Sequence, residues 1–197
     1  MKNIFVLTGS SASGKTSIAR ALLRSFPLEK VVTTTSRSPR PGERNGRDYY
    51  FVPKEAFETG IKKEEFWEWI SFAGHFYGSA KKEIRRIWRS RKCPLLVIDP
   101  QGAFRFKKLW PRQVRVIFLK VGKEELKRRM RERGGISSLE IKERLARFEQ
   151  DQKLARRADF IVANRQGKLP RAIQRTKELF RTLIAQSESG SSRKDPS

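Results

Sequence analysis

The eight residues Gly9-Ser10-Ser11-Ala12-Ser13-Gly14-Lys15-Thr16 constrain this chain more than any other stretch. They fit G-x-x-x-x-G-K-[ST] and stand between an apolar run, NIFVLTG, and an amphipathic one, KTSIARALLRSF. Strand, glycine turn and helix in that order form a phosphate cradle. The glycines let successive backbone N–H groups face one anion, and the helix N-terminus adds its partial positive charge. Lys15 is expected at the β- and γ-phosphates of a nucleoside triphosphate, and the Thr16 hydroxyl at Mg²⁺.

A cradle of this kind needs more parallel strands around it. PLLVID (Pro94 to Asp99), VRVIFLKV (Val114 to Val121) and DFIVAN (Asp159 to Asn164) are short apolar runs, each followed by a helical pattern, the last from about Lys168 to Gln186. This alternation predicts a layered α/β domain with a mainly parallel sheet. Between Thr33 and Ser79 the pattern changes: YYFV and EFWEWISFAG read as half-buried strands of a small inserted sheet. RERGGISSLE reads as a mobile segment between two charged helices, and SESGSSRKDPS as a disordered tail. At 197 residues the chain fits one domain, and its lone cysteine, Cys93, excludes an internal disulfide. No run approaches the roughly 20 apolar residues of a membrane helix. The opening MKNIFVLTGS, with an apolar run of about five residues, is too short for a signal peptide. A cytoplasmic protein with no membrane partner is expected.

The net charge is +24, and Lys81 to Arg147 contribute 22 basic and 7 acidic residues to it. Nucleic acid, densely charged small phosphates and a basic bias without local meaning all fit that excess.

The acceptor side is written in TSRSPRPGERNGRDYYFV, Thr35 to Val52. Arg37 and Arg40 lie in a loop stiffened by Pro39 and Pro41, and guanidiniums fixed in advance lose less entropy on gripping a phosphate. Tyr49 adds a phenol donor. Arg44 and Arg47 read equally well as solvated loop residues. In FWEWISF, alternation places Phe66, Glu68, Ile70 and Phe72 on one face and Trp67, Trp69 and Ser71 on the other. Glu68 is then a carboxylate among apolar neighbours, costly unless something donates to it. Guanine offers N1–H and an exocyclic amine side by side, whereas adenine presents an acceptor at N1. A solvated edge-strand glutamate is the competing reading.

The cradle, TTTSRSPRPGERNGRDYYFV and FWEWISFAGHFYGS, followed by IDPQGA, RRMRERG, ERL and FIVAN, together resemble the guanylate kinases over nearly everything except the tail. The resemblance implies a three-part P-loop fold: a core (1–32, 80–122 and 148–186), a GMP-binding region (33–79) and a helical lid (123–147), with 187–197 as the tail. It implies transfer of the γ-phosphoryl group of ATP to GMP, with Mg²⁺ accompanying ATP as co-substrate and dGMP a further candidate acceptor. Gly9 to Thr16 would bind ATP, while Ser17, the next residue, is assigned no part in it. Arg37, Arg40, Tyr49 and Tyr77 would hold the GMP phosphate. Thr33, Glu68, Ser79 and Asp99 would read or orient the guanine. Arg129, Arg133 and Arg144 would close from the lid onto the transferring phosphates, with Lys15 and Arg37 completing the catalytic set, and Asn164 would lie near the adenine. Asp99 before Pro100 also reads as a helix N-cap.

Several positions depart from the family pattern. Ser10 and Ala12 stand in the cradle where proline and glycine are usual, and the Ala12 β-carbon hinders any positive φ. Val97 replaces the first acid of a D-x-D, and Arg165 and Gln166 replace a pair of acids. No general base is needed, because the acceptor phosphate is mostly a dianion at neutral pH, and His75 has no acidic partner close in sequence. A non-catalytic binding domain of the same shape, a kinase for another phosphorylated acceptor and a nucleic-acid-binding role remain as rivals. ATP and GMP are the expected partners, nucleic acid is compatible but not expected, and monomer and homodimer stay open.

Overall fold

Ile4, Phe5, Val6, Leu7 and Thr8 are all buried, as the middle strand of a sheet covered on both faces must be. The computed structural model describes residues 3–72, 74–133 and 137–189, with backbone alone for residue 133 and for 186–189. In chain order its first elements are β1 (Ile4–Thr8), α1 (Lys15–Leu23), β2 (Leu28–Lys30), β3 (Thr34–Thr35), β4 (Tyr50–Phe51), α2 (Lys54–Lys62), β5 (Phe66–Phe72) and β6 (His75–Ala80). There follow α3 (Lys81–Arg89), β7 (Cys93–Val97), α4 (Pro100–Leu109), β8 (Val114–Lys120), α5 (Lys123–Arg133), α6 (Ser138–Ala146), α7 (Phe148–Ala155), β9 (Phe160–Ala163) and α8 (Leu169–Ser189).

The main sheet runs β2-β7-β1-β8-β9, and every pairing in it is parallel. Odd residues of β1, Phe5 and Leu7, pack with Ile18 and Leu22 of α1 and Phe180 of α8. Even residues, Ile4 and Val6, pack with Ile84 and Ile87 of α3 and Phe104 and Phe106 of α4. The result is the three-layer α/β core that the alternating runs predict.

The second sheet runs β4-β3-β6-β5 and confirms the small inserted sheet. β2, β3, β6 and α2 carry no clear signal in the chain. β2 and β3 are three and two residues long and exist only through their partners. In β6, HFYGSA, glycine and histidine break any β-pattern, and pairing with β3 and β5 on both sides compensates.

Two expectations need correction. The register of β5 against β6 shifts between Phe66 and Glu68, a β-bulge. It turns Phe66 away from Glu68 and stacks its ring on Phe57 of α2 at 4.4 Å. From Glu68 onward the alternation holds: Glu68 and Ile70 are buried, Trp69 and Ser71 exposed. The C-terminal helix runs to Ser189, beyond the expected end at Gln186, while 190–197 lie outside the described residues. Within RERGGISSLE, α5 continues to Arg133, and Ser137 caps α6 by accepting from Glu140 N at 3.1 Å. Residues 134–136 of that segment lie outside the described residues. Val121, Leu126, Met130 and Phe148 form a third cluster, with Ala12, Ile141 and Leu145 against it, so α5 and α6 rest directly on the cradle.

Candidate active site

β1 delivers the chain to its C-terminal edge, where the cradle turns into α1. Gly9 has φ 143° and Gly14 φ 95°. A β-carbon on Gly9 would stand 2.5 Å from the Leu119 carbonyl oxygen, and one on Gly14 the same distance from Asn164 Nδ2, so both glycines are required. Ala12 adopts φ 60°, the left-handed conformation in which its β-carbon costs energy. Lys15 Nζ curls back across the loop, donating to the carbonyls of Gly9 at 2.6 Å and Ser10 at 3.0 Å.

Over the cradle lies a cleft of about 1310 Å³. Ser11, Ala12, Ser13, Gly14, Lys15 and Thr16 form its floor. Ser17, in the first turn of α1, is exposed at its edge. Arg37, Arg40, Tyr49 and Tyr77 face it from the small sheet and its loop, and Thr33, Glu68 and Asp99 from the wall between the sheets. Arg129 and Arg144 close it from α5 and α6. Ser10 and Ser79 are buried behind this lining. The Arg133 side chain lies outside the described residues.

The arginine loop is held by its own acids. Glu43 takes Arg37 Nη2 on both oxygens, at 2.9 and 3.1 Å, and accepts from the Arg40 backbone N–H at 2.8 Å. Burial opposes the Arg37 charge, and Glu43 with the Tyr77 hydroxyl outweighs it, so this guanidinium holds its proton more tightly than usual. Asp48 accepts from the Arg44 backbone N–H and from Arg47 Nε, Lys30 ties the carbonyls of Arg47 and Asp48 to the core, and Arg47 also lines the cleft.

Across the cleft Arg40 Nη2 donates to Glu140 Oε1 at 2.7 Å, and Arg144 Nη2 donates to the same oxygen at 2.5 Å. Burial opposes the Glu140 charge, but Arg144 and Arg40 prevail and hold its carboxyl below the usual range. Arg144 Nη1 also donates to Ser11 Oγ of the cradle. Arg129 is braced by Glu125 at 2.6 Å and donates to the Asn164 carbonyl at 3.2 Å. Glu140 therefore fills, between two cations, the position of an anion.

Glu68 is 7% exposed, and Ser79 alone donates to it among the described residues, its hydroxyl at 2.7 Å. Burial, with the charge of Asp99 adding to it, pushes the carboxyl up to about 7 despite the Ser79 hydrogen bonds. Asp99 caps α4 through one oxygen, accepting from Gln101 N at 2.9 Å and Gly102 N at 3.2 Å. A β-carbon at Gly102 would stand 3.0 Å from Glu68 Oε2 and 3.2 Å from Asp99 Oδ2, so glycine there keeps space between the two acids. The cap uses Oδ1 alone, and Oδ2 faces the space beside Gly102.

Asn164 is fully buried beneath the cradle and donates from Nδ2 to the Ser13 carbonyl at 2.9 Å. Its side chain supports the loop from below. Val97 packs against the α1 and α8 side of the sheet and offers no carboxylate. Asp151 of α7 lines the cleft instead, an acid the sequence reading missed. Burial, with Asp99 adding to it, pushes Asp151 up to about 6, while Ser10, Lys15 and Arg147 offset part of that rise. Asp151 and the Thr16 hydroxyl line one cleft, oxygen donors of the kind that suits a hard divalent cation. Glu43 and Glu140 were also missed. The S-x-x-E spacing of Ser137 and Glu140 marks a helix start, but nothing local reveals the arginine one hundred residues away.

The guanylate kinase family model matches residues 1–183. The guanylate kinase of Chlamydia trachomatis is 37% identical over 163 residues, covering 82% of this chain and 79% of its own. That of Dechloromonas aromatica is 38% identical over 165 residues, covering 83% and 82%. The crystal structure of guanylate kinase from Anaplasma phagocytophilum superposes with a TM-score of 0.72 at 29% identity, covering 91% of this chain and 85% of that one. With the cradle, the clamped arginine loop and the buried carboxylate in one cleft, this chain belongs to the guanylate kinase family.

Proposed function

We propose that this protein transfers the γ-phosphoryl group of ATP to GMP. A GMP phosphate oxygen bonds to the γ-phosphorus as the bond to the β,γ-bridging oxygen breaks, so ADP and GDP leave. The buried Glu68, paired with Ser79 beside Asp99, carries this reading. It lacks the donors an ionised carboxylate wants, and guanine supplies two. Arg37, Arg40, Tyr49 and Tyr77 hold the acceptor phosphate, while Thr33 and Asp99 orient the base. Lys15, Arg129 and Arg144 offset charge on the donor phosphates, and Arg133 joins them from the end of α5. Asn164 keeps the cradle in shape beneath the nucleotide. Thr16, with Asp151 in the same cleft, would hold Mg²⁺ with ATP; when bound, it supplies two positive charges to the transferring phosphates.

Two nucleotides bring together on the order of six negative charges, so catalysis is positioning and charge stabilisation rather than proton abstraction. The division into core, acceptor region (33–79) and lid (123–147) follows from the same reading, with the lid excluding water that would otherwise hydrolyse ATP. ADP release with ATP–Mg²⁺ and a panel of GMP, dGMP, AMP, CMP and UMP tests it. GMP is expected to exceed AMP in kcat/KM by roughly 10⁴, the discrimination of a site built to accept hydrogen bonds from a substrate's N–H groups. Equal use of GMP and AMP, or no turnover with any acceptor, refutes it.

A further inference from the structure

The kinase cleft leaves much of the cationic surface without a purpose, and one face concentrates it. α3 and α4 cover the same side of the main sheet. Trp110 ties them together, packing edge-on against Trp67 at 4.8 Å and Trp88 at 5.8 Å. On α3, Lys81, Arg85 and Arg89 recur every fourth residue, with Arg85 and Arg89 exposed and Lys82 exposed beside them. On and after α4, Arg105, Lys108 and Arg112 are exposed in the same way.

The acids of this layer are committed elsewhere. Glu29 pairs with Arg86 and Lys92, Glu83 with Arg86, and Asp159 with Lys107. Among the described residues Lys82, Arg85, Arg89, Lys108 and Arg112 have no ion-pair partner. Like charges at four-residue spacing on a helix repel, so the arrangement is unfavourable until an anion meets it.

A second observation stands beside these rows. A depression of about 660 Å³ is lined by Trp69, Leu109, Lys81, Arg105 and Lys108, with Glu64 the acid on its rim outside the kinase cleft. Trp69 is 37% exposed and Leu109 54%, two of the few large apolar side chains left to solvent. Arg105 fixes the wall by donating from Nη1 to the Trp69 carbonyl at 2.7 Å. An indole recessed among cations is a platform for a flat, unstacked base attached to phosphates.

We propose that the outer face of α3 and α4 binds single-stranded nucleic acid, with phosphates along the two cationic rows and one base on Trp69. Duplexes fit less well, because their bases are already stacked and cannot enter the depression. Anionic membranes fit less well, because two exposed apolar side chains, Trp69 and Leu109, offer little to insert among lipids.

The probe is a fluorescein-labelled oligouridylate of about 12 nucleotides, within the span that one such surface covers. Anisotropy is read with saturating GMP and ADP–Mg²⁺ present, which keeps the probe out of the kinase cleft. Affinity is expected to fall steeply with salt, with a log–log slope of about −0.7 for each phosphate held. The triple variant Arg85→Glu, Arg89→Glu, Lys108→Glu is expected to lose at least about tenfold in affinity while keeping its ATP–GMP turnover, which also reports folding. Trp69→Ala is expected to lose about tenfold at every salt concentration, since stacking is not screened. An affinity flat with salt, or unchanged in the triple variant, overturns the proposal. So does a signal seen only when GMP and ADP–Mg²⁺ are left out, or phosphatidylserine vesicles bound through the same arginines without competition from the oligonucleotide.

Discussion

Acidification is expected to loosen the grip on GMP through Glu68. In the free protein burial, with Asp99 adding to it, raises this carboxyl to about 7. Guanine requires it ionised, because N1–H and the exocyclic amine both donate. The bound form therefore has a lower pKa, and binding expels a proton wherever the free carboxyl is protonated. Above about pH 8 the group is already charged and affinity is flat. Below 7 each pH unit costs up to a factor of ten, or about 1.36 kcal/mol, so GMP binds about tenfold more weakly near pH 6 than near pH 8. The acceptor phosphate, with its own pKa near 6, adds only about a factor of two at that pH. Calorimetric titration of GMP into the ligand-free enzyme at several pH values measures the slope. Repeating it near pH 7 in buffers of different ionisation enthalpy measures the proton released, about one half per GMP. Glu68→Gln keeps the size of the side chain and should retain only the twofold phosphate effect. Equal slopes in wild type and Glu68→Gln, or no proton release, would refute the reasoning.

Other perturbations test the remaining parts. Lys15→Ala should lower kcat by at least about 10³, with kcat and kcat/KM falling together, because its charge acts chiefly on the transferring phosphates. Glu140→Gln removes the anion held between Arg40 and Arg144. It should lower KM for GMP a few-fold, because phosphate no longer competes with an internal carboxylate, and a raised KM would instead make Glu140 a support for those arginines. Ala12→Gly relieves the positive φ at that position. It should stabilise the protein by about 1 kcal/mol, or roughly 2–4 °C in Tm by calorimetry, and an unchanged or lower Tm would mean the methyl's packing outweighs the strain.

Much of the fold was legible along the chain because its signals are short-range. G-x-x-x-x-G-K-T states a local backbone conformation, and the positive φ that Gly9 and Gly14 supply is needed within a few residues of where it is read. The mostly apolar runs of β1, β7 and the middle of β8 announce strands buried on both faces, which implies helices above and below. The loop of Arg37 and Arg40, stiffened by Pro39 and Pro41, was readable for the same reason. β3 was not, since its stability comes from pairing with a strand more than forty residues away, Thr35 with Tyr77 and Thr34 with Gly78, and β6 was not, because glycine and histidine hide its pattern.

The chain alone thus determined the cradle, the layered architecture and the kinds of side chain that face the phosphates. Tertiary structure decided their electrostatic state. It put Asp99 near Glu68 and raised that carboxyl, brought Glu140 between Arg40 and Arg144, and set Asp151 in a cleft where Val97 offers no charge. It also used one bulge in β5 to turn Phe66 inward onto α2. Steric preferences act between neighbours and are written in order, whereas desolvation and Coulomb forces act through space and depend on which distant residues the fold brings together.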